Sequence, residues 1–454
     1  MNKDFITKTI EAPADLLDKS INASSDFGHK ISSGNALQRG KNYWHTLGPG
    51  LTTGASDDDP SGIASYSQVG AQYGFKFLWL AAFTFPLMAV VQEMCARIGL
   101  VTGRGLAGNI KQLFSPRILY ISTILLFAAN TFNIGADLGA MAAGVKLLLP
   151  ASSTTILVIG FSILMLGLQI FTPYARYARY LKWLALVLLS YILSAILAHL
   201  DWGTVLRHAF VPTLTFNKDQ LLLICAVLGT TISPYLFFWQ TSQEVEEEIV
   251  QGKTTVAMRR GTDKQSIKNM RVDVWSGMFL SNIVMFFIIA ACGGILFPHG
   301  ITNIASAADA AKALEPFAGS ATPLLFAIGI IGTGMLAIPV LAGSSSYAIA
   351  ESLHKPGSLG KKLNQAKVFY GMIIISMMVG LGMNFIGLNP IKALIYSAVA
   401  NGVVAPVVLI LIVLISSNKK VMGEWVNGPV TKFIGWTATI MMLAAGTGAI
   451  WSLF

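Results

Sequence analysis

The chain has 454 residues, of which 54% are hydrophobic and only 12% charged, and it carries a net charge of +10. Soluble domains average about 25% charged residues. This chain therefore lacks the polar surface to cover a water-soluble globule, which excludes a soluble enzyme, a disordered chain and a disulfide scaffold. Its composition is that of a polytopic membrane protein, in which about 20 apolar residues make each crossing.

Residues 1–46 are polar, hold no apolar signal-peptide core and read as a cytoplasmic N-terminal tail. Apolar stretches follow at 47–72, 75–101, 118–146, 153–172, 180–200, 220–242, 274–297, 321–350, 368–388, 390–416 and 430–453, eleven predicted spans. With the N-terminus inside, and residues near span ends counted with the adjoining segment, 24 of the 32 Lys and Arg residues belong to inner segments and 6 to outer ones, leaving Arg97 and Lys432 assigned to spans. That bias is the positive-inside rule. It accounts for the basic charge without a nucleic-acid partner. It also places the chain in the cytoplasmic (inner) cell membrane as a multi-pass protein, with its C-terminus outside. The long inner loop, 244–272, opens acidic at Glu244, Glu246, Glu247 and Glu248 and then turns basic, which reads as a solvated helical flank.

Two spans hold residues that a lipid-facing helix avoids. The first carries Ser56-Asp57-Asp58-Asp59-Pro60-Ser61-Gly62 at its middle. Each carboxylate at bilayer depth costs about 3 kcal/mol on insertion scales. Pro60 removes a backbone donor and pushes the residue before it out of helical geometry. The sixth span repeats the device with Gly229-Thr230-Thr231-Ile232-Ser233-Pro234. In each, a capping side chain precedes a proline at the first position of a new half-helix. The half-helices before the breaks end in free carbonyls at a negative dipole end, which suits a cation. Asp59 is expected to stand there as an unpaired carboxylate. Breaks five spans apart imply inverted repeats of spans 1–5 and 6–10, with a substrate site at the midplane.

Cys95, Cys225 and Cys292 lie in apolar stretches without framework spacing, so neither a disulfide nor a zinc site is expected. The six histidines show no metalloprotease spacing, and no Gly-rich loop pairs with a phosphate-binding lysine. No cofactor, enzymatic activity or ATP drive is expected. Gln92, Glu93 and Arg97 sit near the inner end of the second span, where Arg97 is expected to snorkel or pair locally. Asn130 and Asn133 line a polar path or serve as interhelical hydrogen-bond glue.

The motifs Gly48-Pro49-Gly50, the Asp59-Pro60 break, Tyr73-Gly74-Phe75-Lys76, Ala96-Arg97-Ile98-Gly99-Leu100-Val101-Thr102-Gly103, Ala136-Asp137-Leu138, Gly229 to Pro234 and Ser417-Asn418-Lys419-Lys420-Val421-Met422-Gly423 together resemble the Nramp family of divalent-metal transporters. The resemblance implies an all-α membrane fold of eleven helices, a LeuT-type 5+5 inverted repeat with helices 1 and 6 broken. It implies a ten-helix transport core over 47–416 and, over 417–454, a cytoplasmic loop with the eleventh helix. It also implies a metal-binding role for Asp59.

Several family positions differ. The asparagine ligand of the first break is Gly62. The thioether ligand of the sixth is Ser233, and the histidine beyond it is Tyr235. A further histidine aligns with Gln240, a glutamate with Ala140, and a metal-facing glutamine with Ala398, one turn from Asn401. Soft sulfur is lost and hard oxygens remain: Asp59, the Ser233 hydroxyl, the Thr230 carbonyl, and Asp57 or Asp58. Such a set suits Mg²⁺, Ca²⁺ or Mn²⁺ and is similar to that of the Nramp-related magnesium transporters. The expected pathway groups are Asp137, Tyr235 and Gln240, with proton coupling weak or absent. Asp137 reads equally as a buried aspartate bonded to neighbouring backbone.

The expected function is secondary transport of divalent cations, Mg²⁺ or Mn²⁺ favoured, with the ion as substrate, the bilayer as environment and no obligatory protein partner. The alternatives are a proton-coupled Mn²⁺/Fe²⁺ importer of the ordinary Nramp type, an amino-acid carrier, and a transport-inactive receptor. Three aspartates repel an amino-acid carboxylate. A receptor is expected to carry an added signalling domain, whereas this chain ends at Phe454, directly after the eleventh span.

Overall fold

The computed structural model describes residues 48–172, 188–213 and 217–452. The predicted tail over 1–46 and residues 180–187 of the fifth predicted span lie outside them. Among the described residues every regular element is helical. In lipid this is what unbroken backbone hydrogen bonding requires.

The first span is two helices, α1 (Pro49–Asp57) and α2 (Pro60–Tyr73). Then come α3 (Trp79–Thr102), α4 (Pro116–Leu148), α5 (Thr154–Phe171) and α6 (Leu189–Leu197), the described part of span five. The sixth span is again two helices, α7 (Lys218–Thr231) and α8 (Pro234–Val250). The chain continues through α9 (Lys264–Ile295), α10 (Thr322–Ser352), α11 (Lys367–Met383), α12 (Pro390–Ser416) and α13 (Pro429–Ser452). Counting α7 and α8 together, 8 stretches among the described residues are long and apolar enough to cross a bilayer, and α11 is a shorter apolar helix. The fold is an all-α membrane architecture with both expected breaks in place.

Each broken span is pressed against an unbroken one. A Cβ added to Gly54 in α1 would lie 2.2 Å from the Gly277 carbonyl oxygen of α9, and one on Gly277 would lie 2.2 Å from that of Gly50. Further along, a Cβ on Gly70 of α2 would lie 2.6 Å from the Ile289 carbonyl oxygen. Both halves of the first span therefore ride on α9 at backbone-to-backbone distance, which only glycine permits. In the other repeat, a Cβ on Gly229 of α7 would meet the Ala398 carbonyl oxygen of α12 at 2.1 Å.

The N-terminus of α1 has no side-chain cap of its own. Asp273 from α9 supplies one, its carboxylate accepting from the backbone N–H groups of Gly48 at 2.7 Å, Gly50 at 2.6 Å and Leu51 at 3.0 Å. A carboxylate at the positive end of a helix both satisfies orphan donors and complements the dipole.

Arg97 pairs locally, as expected. It lies 3.7 Å from Glu93 one turn away and hydrogen-bonds Asn427. Glu93 also takes Arg271 at 2.9 Å and the Trp275 indole at 2.8 Å.

The acidic opening of the 244–272 segment is not a solvated flank. Helix α8 continues to Val250 and buries Glu244, Glu246 and Glu248. Each carboxylate has a donor: Gln240 for Glu244, Tyr347 and Ser358 for Glu246, and Lys253 for Glu248. A charge run marks a solvated face only when the packing opposite is apolar, and here it is polar. The loop proper ends at Asp263, the N-cap of α9. Its carboxyl is held below the ordinary carboxylate range, chiefly by the Ser266 backbone N–H and then by the Ser266 hydroxyl.

Gly277→Val should destabilise the protein by about 1–3 kcal/mol, because the clash is with backbone and no rotamer relieves it. Gly371→Val on α11, where nothing lies within 4 Å, should stay within about 0.5 kcal/mol. Thermal unfolding of both variants in detergent measures the difference.

Candidate functional site

Helix α1 stops at Asp57, and Asp58 leaves helical geometry at φ −85° and ψ 57°. Asp59 is extended, at φ −71° and ψ 171°, and is the N-cap of α2, with Pro60 next. The Asp59 side chain is 1% exposed by residue area, and it is not unpaired as the sequence suggested. Its Oδ1 accepts from the Gly62 backbone N–H at 2.7 Å, the Ser61 hydroxyl at 2.7 Å and the Thr230 hydroxyl at 3.3 Å. Its Oδ2 accepts from the Asn133 amide at 2.8 Å, and the Asn133 carbonyl oxygen accepts from the Ser397 hydroxyl at 2.7 Å. A carboxylate removed from water needs such donors, and the first N–H groups of a half-helix need an acceptor.

The second break differs from the expected pattern. Ser233 precedes Pro234, but its side chain does not cap α8. The hydroxyl turns back to the free carbonyls at the end of α7, 2.7 Å from that of Gly229 and 2.6 Å from that of Thr230. Two unpaired carbonyls lie close to the hydroxyl there, whereas Pro234 offers no N–H. Thr230 consequently reaches Asp59 through its hydroxyl, while its carbonyl faces Ser233. The two breaks are cross-tied, since the Tyr235 hydroxyl donates to the Ser56 carbonyl at 3.0 Å.

The three consecutive aspartates point different ways. Asp57 turns to α9 and accepts from the Ser281 hydroxyl at 2.5 Å. Its other oxygen, and Oδ1 of Asp58, have no hydrogen-bond partner among the described residues. A Cβ added to Gly62 would lie 3.0 Å from the Thr230 hydroxyl and 3.4 Å from Asp59 Oδ1. The missing side chain at this position is thus what lets Thr230 approach. Among the described residues, no three His, Cys, Asp or Glu groups are arranged to hold a metal ion by themselves.

Asp137 is wholly buried, and neither of its oxygens has a hydrogen-bond partner among the described residues. Its reading as an aspartate bonded to nearby backbone is therefore not met. Asn401 is likewise buried with both amide atoms unbonded. Gln240 donates to Glu244 at 2.8 Å, so a carboxylate borders a position that the sequence reading left without a titratable group.

Asn130 is interhelical glue, its amide donating to the Leu341 carbonyl and to Ser344 and Ser345. Asn133, read only as path or glue, is a direct partner of Asp59. Ser61 and Ser397 were not singled out at all. One signal was available: Asn133 lies four residues before Asp137 and so shares its face of α4. Ser397 carried no such signal.

The family model described as natural resistance-associated macrophage protein-like matches residues 50–452. The divalent metal cation transporter MntH of Clostridium acetobutylicum is 23% identical over 414 residues, covering 87% of this chain and 88% of that protein. The protein of the same name from Aeromonas hydrophila is 26% identical over 411 residues, covering 89% and 94%. Among solved structures, the Eremococcus coleocola manganese transporter in complex with an aromatic bis-isothiourea substituted compound aligns with a TM-score of 0.69. It is 17% identical and covers 93% of this chain and 89% of that one. Mhp1, a nucleobase-cation-symport-1 family transporter in a closed conformation with bromovinylhydantoin bound, aligns at 0.50 and 14% identity, covering 89% and 92%. These structural likenesses speak to the fold alone, whereas the family model spans the described chain from α1 to α13: the protein belongs to the Nramp family.

Proposed function

We propose that this chain is a secondary transporter of divalent metal cations, with Asp59, Thr230 and Ser233 at the transported ion. The observation that carries the reading is Asp59, a fully buried carboxylate at a helix break whose hydrogen-bond donors come from α2, α4 and α7. Oδ2 has a single donor and so keeps an acceptor position for a cation. The names of the relatives, divalent metal cation transporters, support the same class. The protein needs no obligatory protein partner and is multi-pass in the cytoplasmic membrane, with its N-terminus inside and its C-terminus outside. Residues 47–416 form the transport core, and 417–454 the inner loop and last span.

Mg²⁺ and Mn²⁺ are the favoured ions, as in the Nramp-related magnesium transporters. The side chains at Asp59 are hydroxyls and an amide, and Ser233 stands where the family has a thioether. Oxygen donors suit hard cations. Asp57, Asp58 and Asn401 add polar groups near the break, and Gly62 leaves room beside Thr230. Asp137, Tyr235 and Gln240 mark the ion pathway.

Proton coupling is weak or absent on this reading, since Tyr235 is bonded to a backbone carbonyl and neither Gln240 nor Ala140 titrates. A second reading, a proton-coupled Mn²⁺/Fe²⁺ importer, is favoured by the buried carboxylate of Glu244 beside Gln240.

Asp59→Asn keeps a capping acceptor but loses the charge, and should abolish uptake into proteoliposomes while the protein stays monodisperse. Asp59→Ala should do the same and lose about 1 kcal/mol of stability with the cap. Uptake like that of the wild type in either variant would refute the site. In the same liposomes, Mg²⁺ and Mn²⁺ should be carried in preference to Cd²⁺, and Ser233→Met should move the preference toward Cd²⁺. A wild-type protein that strongly prefers Cd²⁺ over both would overturn the hard-ion reading. With a pH-sensitive dye inside, a metal gradient should produce no internal acidification. Acidification that is lost in Glu244→Gln would establish the second reading instead.

A further inference from the structure

We infer that Asn133 is itself a ligand of the transported ion, brought into play by a turn of its amide. The inference rests on the reading of Asp59 as the metal-binding carboxylate. Asp59 Oδ1 already serves Ser61, Gly62 and Thr230, whereas Oδ2 serves Asn133 alone. A cation reaching Asp59 therefore approaches Oδ2, on the side where the Asn133 amide stands.

The orientation of that amide is dictated by its neighbours. A carboxylate only accepts, so the NH₂ group must face Asp59, and the Ser397 hydroxyl then donates to the carbonyl oxygen at 2.7 Å. A half-turn of the amide about its last side-chain bond exchanges the two ends. The carbonyl oxygen then faces the cation beside Asp59, and the NH₂ donates to the Ser397 oxygen. The Ser397 proton has a second acceptor in place, because its hydroxyl also lies 2.7 Å from the Leu394 carbonyl. Asn133 and Ser397 keep their hydrogen bonds in both arrangements, and the donor that Asp59 gives up is replaced by the metal. No buried polar group of the network is orphaned, which removes the usual penalty for rearranging one.

Asn133 and Ser397 are both 0% exposed, so water does not substitute readily for either. The consequence is a site that reports its occupancy to α4 and α12. With no ion bound, Asn133 donates to Asp59; with the ion bound, it donates to Ser397.

The test is Mn²⁺ binding to the purified full-length protein by titration calorimetry, with Mg²⁺ competition. Asn133→Ala should weaken binding about 10- to 100-fold, the range for groups that support a metal site. Asn133→Asp separates the roles. A carboxylate offers an oxygen ligand but no donor to Asp59, so it should bind at least as tightly as the wild type if Asn133 is a ligand. If Asn133 only props Asp59 in place, Asn133→Asp should bind no better than Asn133→Ala, and the inference falls. It also falls if Asn133→Ala binds like the wild type. Ser397→Ala, on a different helix, should weaken binding several-fold without altering α4, which keeps the test open if an Asn133 variant fails to fold. Asp59→Ala is the control for the underlying reading. Undiminished binding there refutes the Asp59 site itself, whereas lost binding there with unchanged Asn133→Ala refutes the ligand role alone.

Discussion

A carboxylate held away from both lipid and water is the constraint from which the rest of this architecture follows. Asp59 can be buried in its charged form only if the protein brings donors to it, and those donors come from three helices. Its own half-helix α2 supplies Gly62 and Ser61, α7 supplies Thr230, and α4 supplies Asn133. Ser397 of α12 adds a fourth helix through Asn133. An interior ionisable residue is expensive unless every such contact is made. Asp59 therefore acts as a junction. Its burial couples the position of four helices to one pair of oxygens.

The breaks impose a second accounting. Interrupting a helix in the middle of a membrane frees carbonyls on one side and N–H groups on the other, and each needs a partner. Asp59 takes the N–H side of the first break, and the Tyr235 hydroxyl takes the Ser56 carbonyl on the other. Ser233 is drawn to the carbonyls of Gly229 and Thr230. Asp273 does for the start of α1 what Asp59 does for the start of α2. Short half-helices also have little surface to bury. The glycine contacts that lay α1 and α2 along α9, and α7 along α12, compensate by bringing backbones together.

Much of this was legible in the sequence, and the rest was hidden for definable reasons. Apolar runs and the Asp59-Pro60 and Ser233-Pro234 junctions revealed the span pattern and both breaks, because bilayer length and proline chemistry are local rules. Residue type did not reveal direction. Asp57, Asp58 and Asp59 read alike in a row, yet Asp57 turns to Ser281 on α9 while Asp59 turns to α4 and α7. Ser233 looked like a cap because serine before proline usually is one, and only the nearby free carbonyls explain why it is not. Glu244 and Glu246 looked like the edge of a loop, since charge was the only cue to where α8 ends. The Asn133–Ser397 pair joins residues 264 positions apart, and no local pattern reports such a contact.

The partition of Asp59's contacts has a mechanical meaning on the transport reading. Its donors Gly62, Ser61 and Thr230 belong to the two broken spans, whereas Asn133 and its partner Ser397 belong to unbroken ones. Rocking of broken spans against the others, the motion attributed to inverted-repeat transporters, would load the bond between Asn133 and Asp59, which joins an unbroken span to a broken one. Ser61 and Gly62 belong to the half-helix that Asp59 caps, and the Tyr235–Ser56 bond ties the two breaks to each other. In the ion-free protein such a movement would leave Oδ2 of a buried carboxylate without its donor, which opposes it. On the proposed reading a divalent cation on Oδ2 would take the place of that donor, and the movement would cost less with substrate present. A transporter needs that asymmetry if it is to move with cargo and resist moving without it, and on the proposed reading the hydrogen bond from α4 contributes to it.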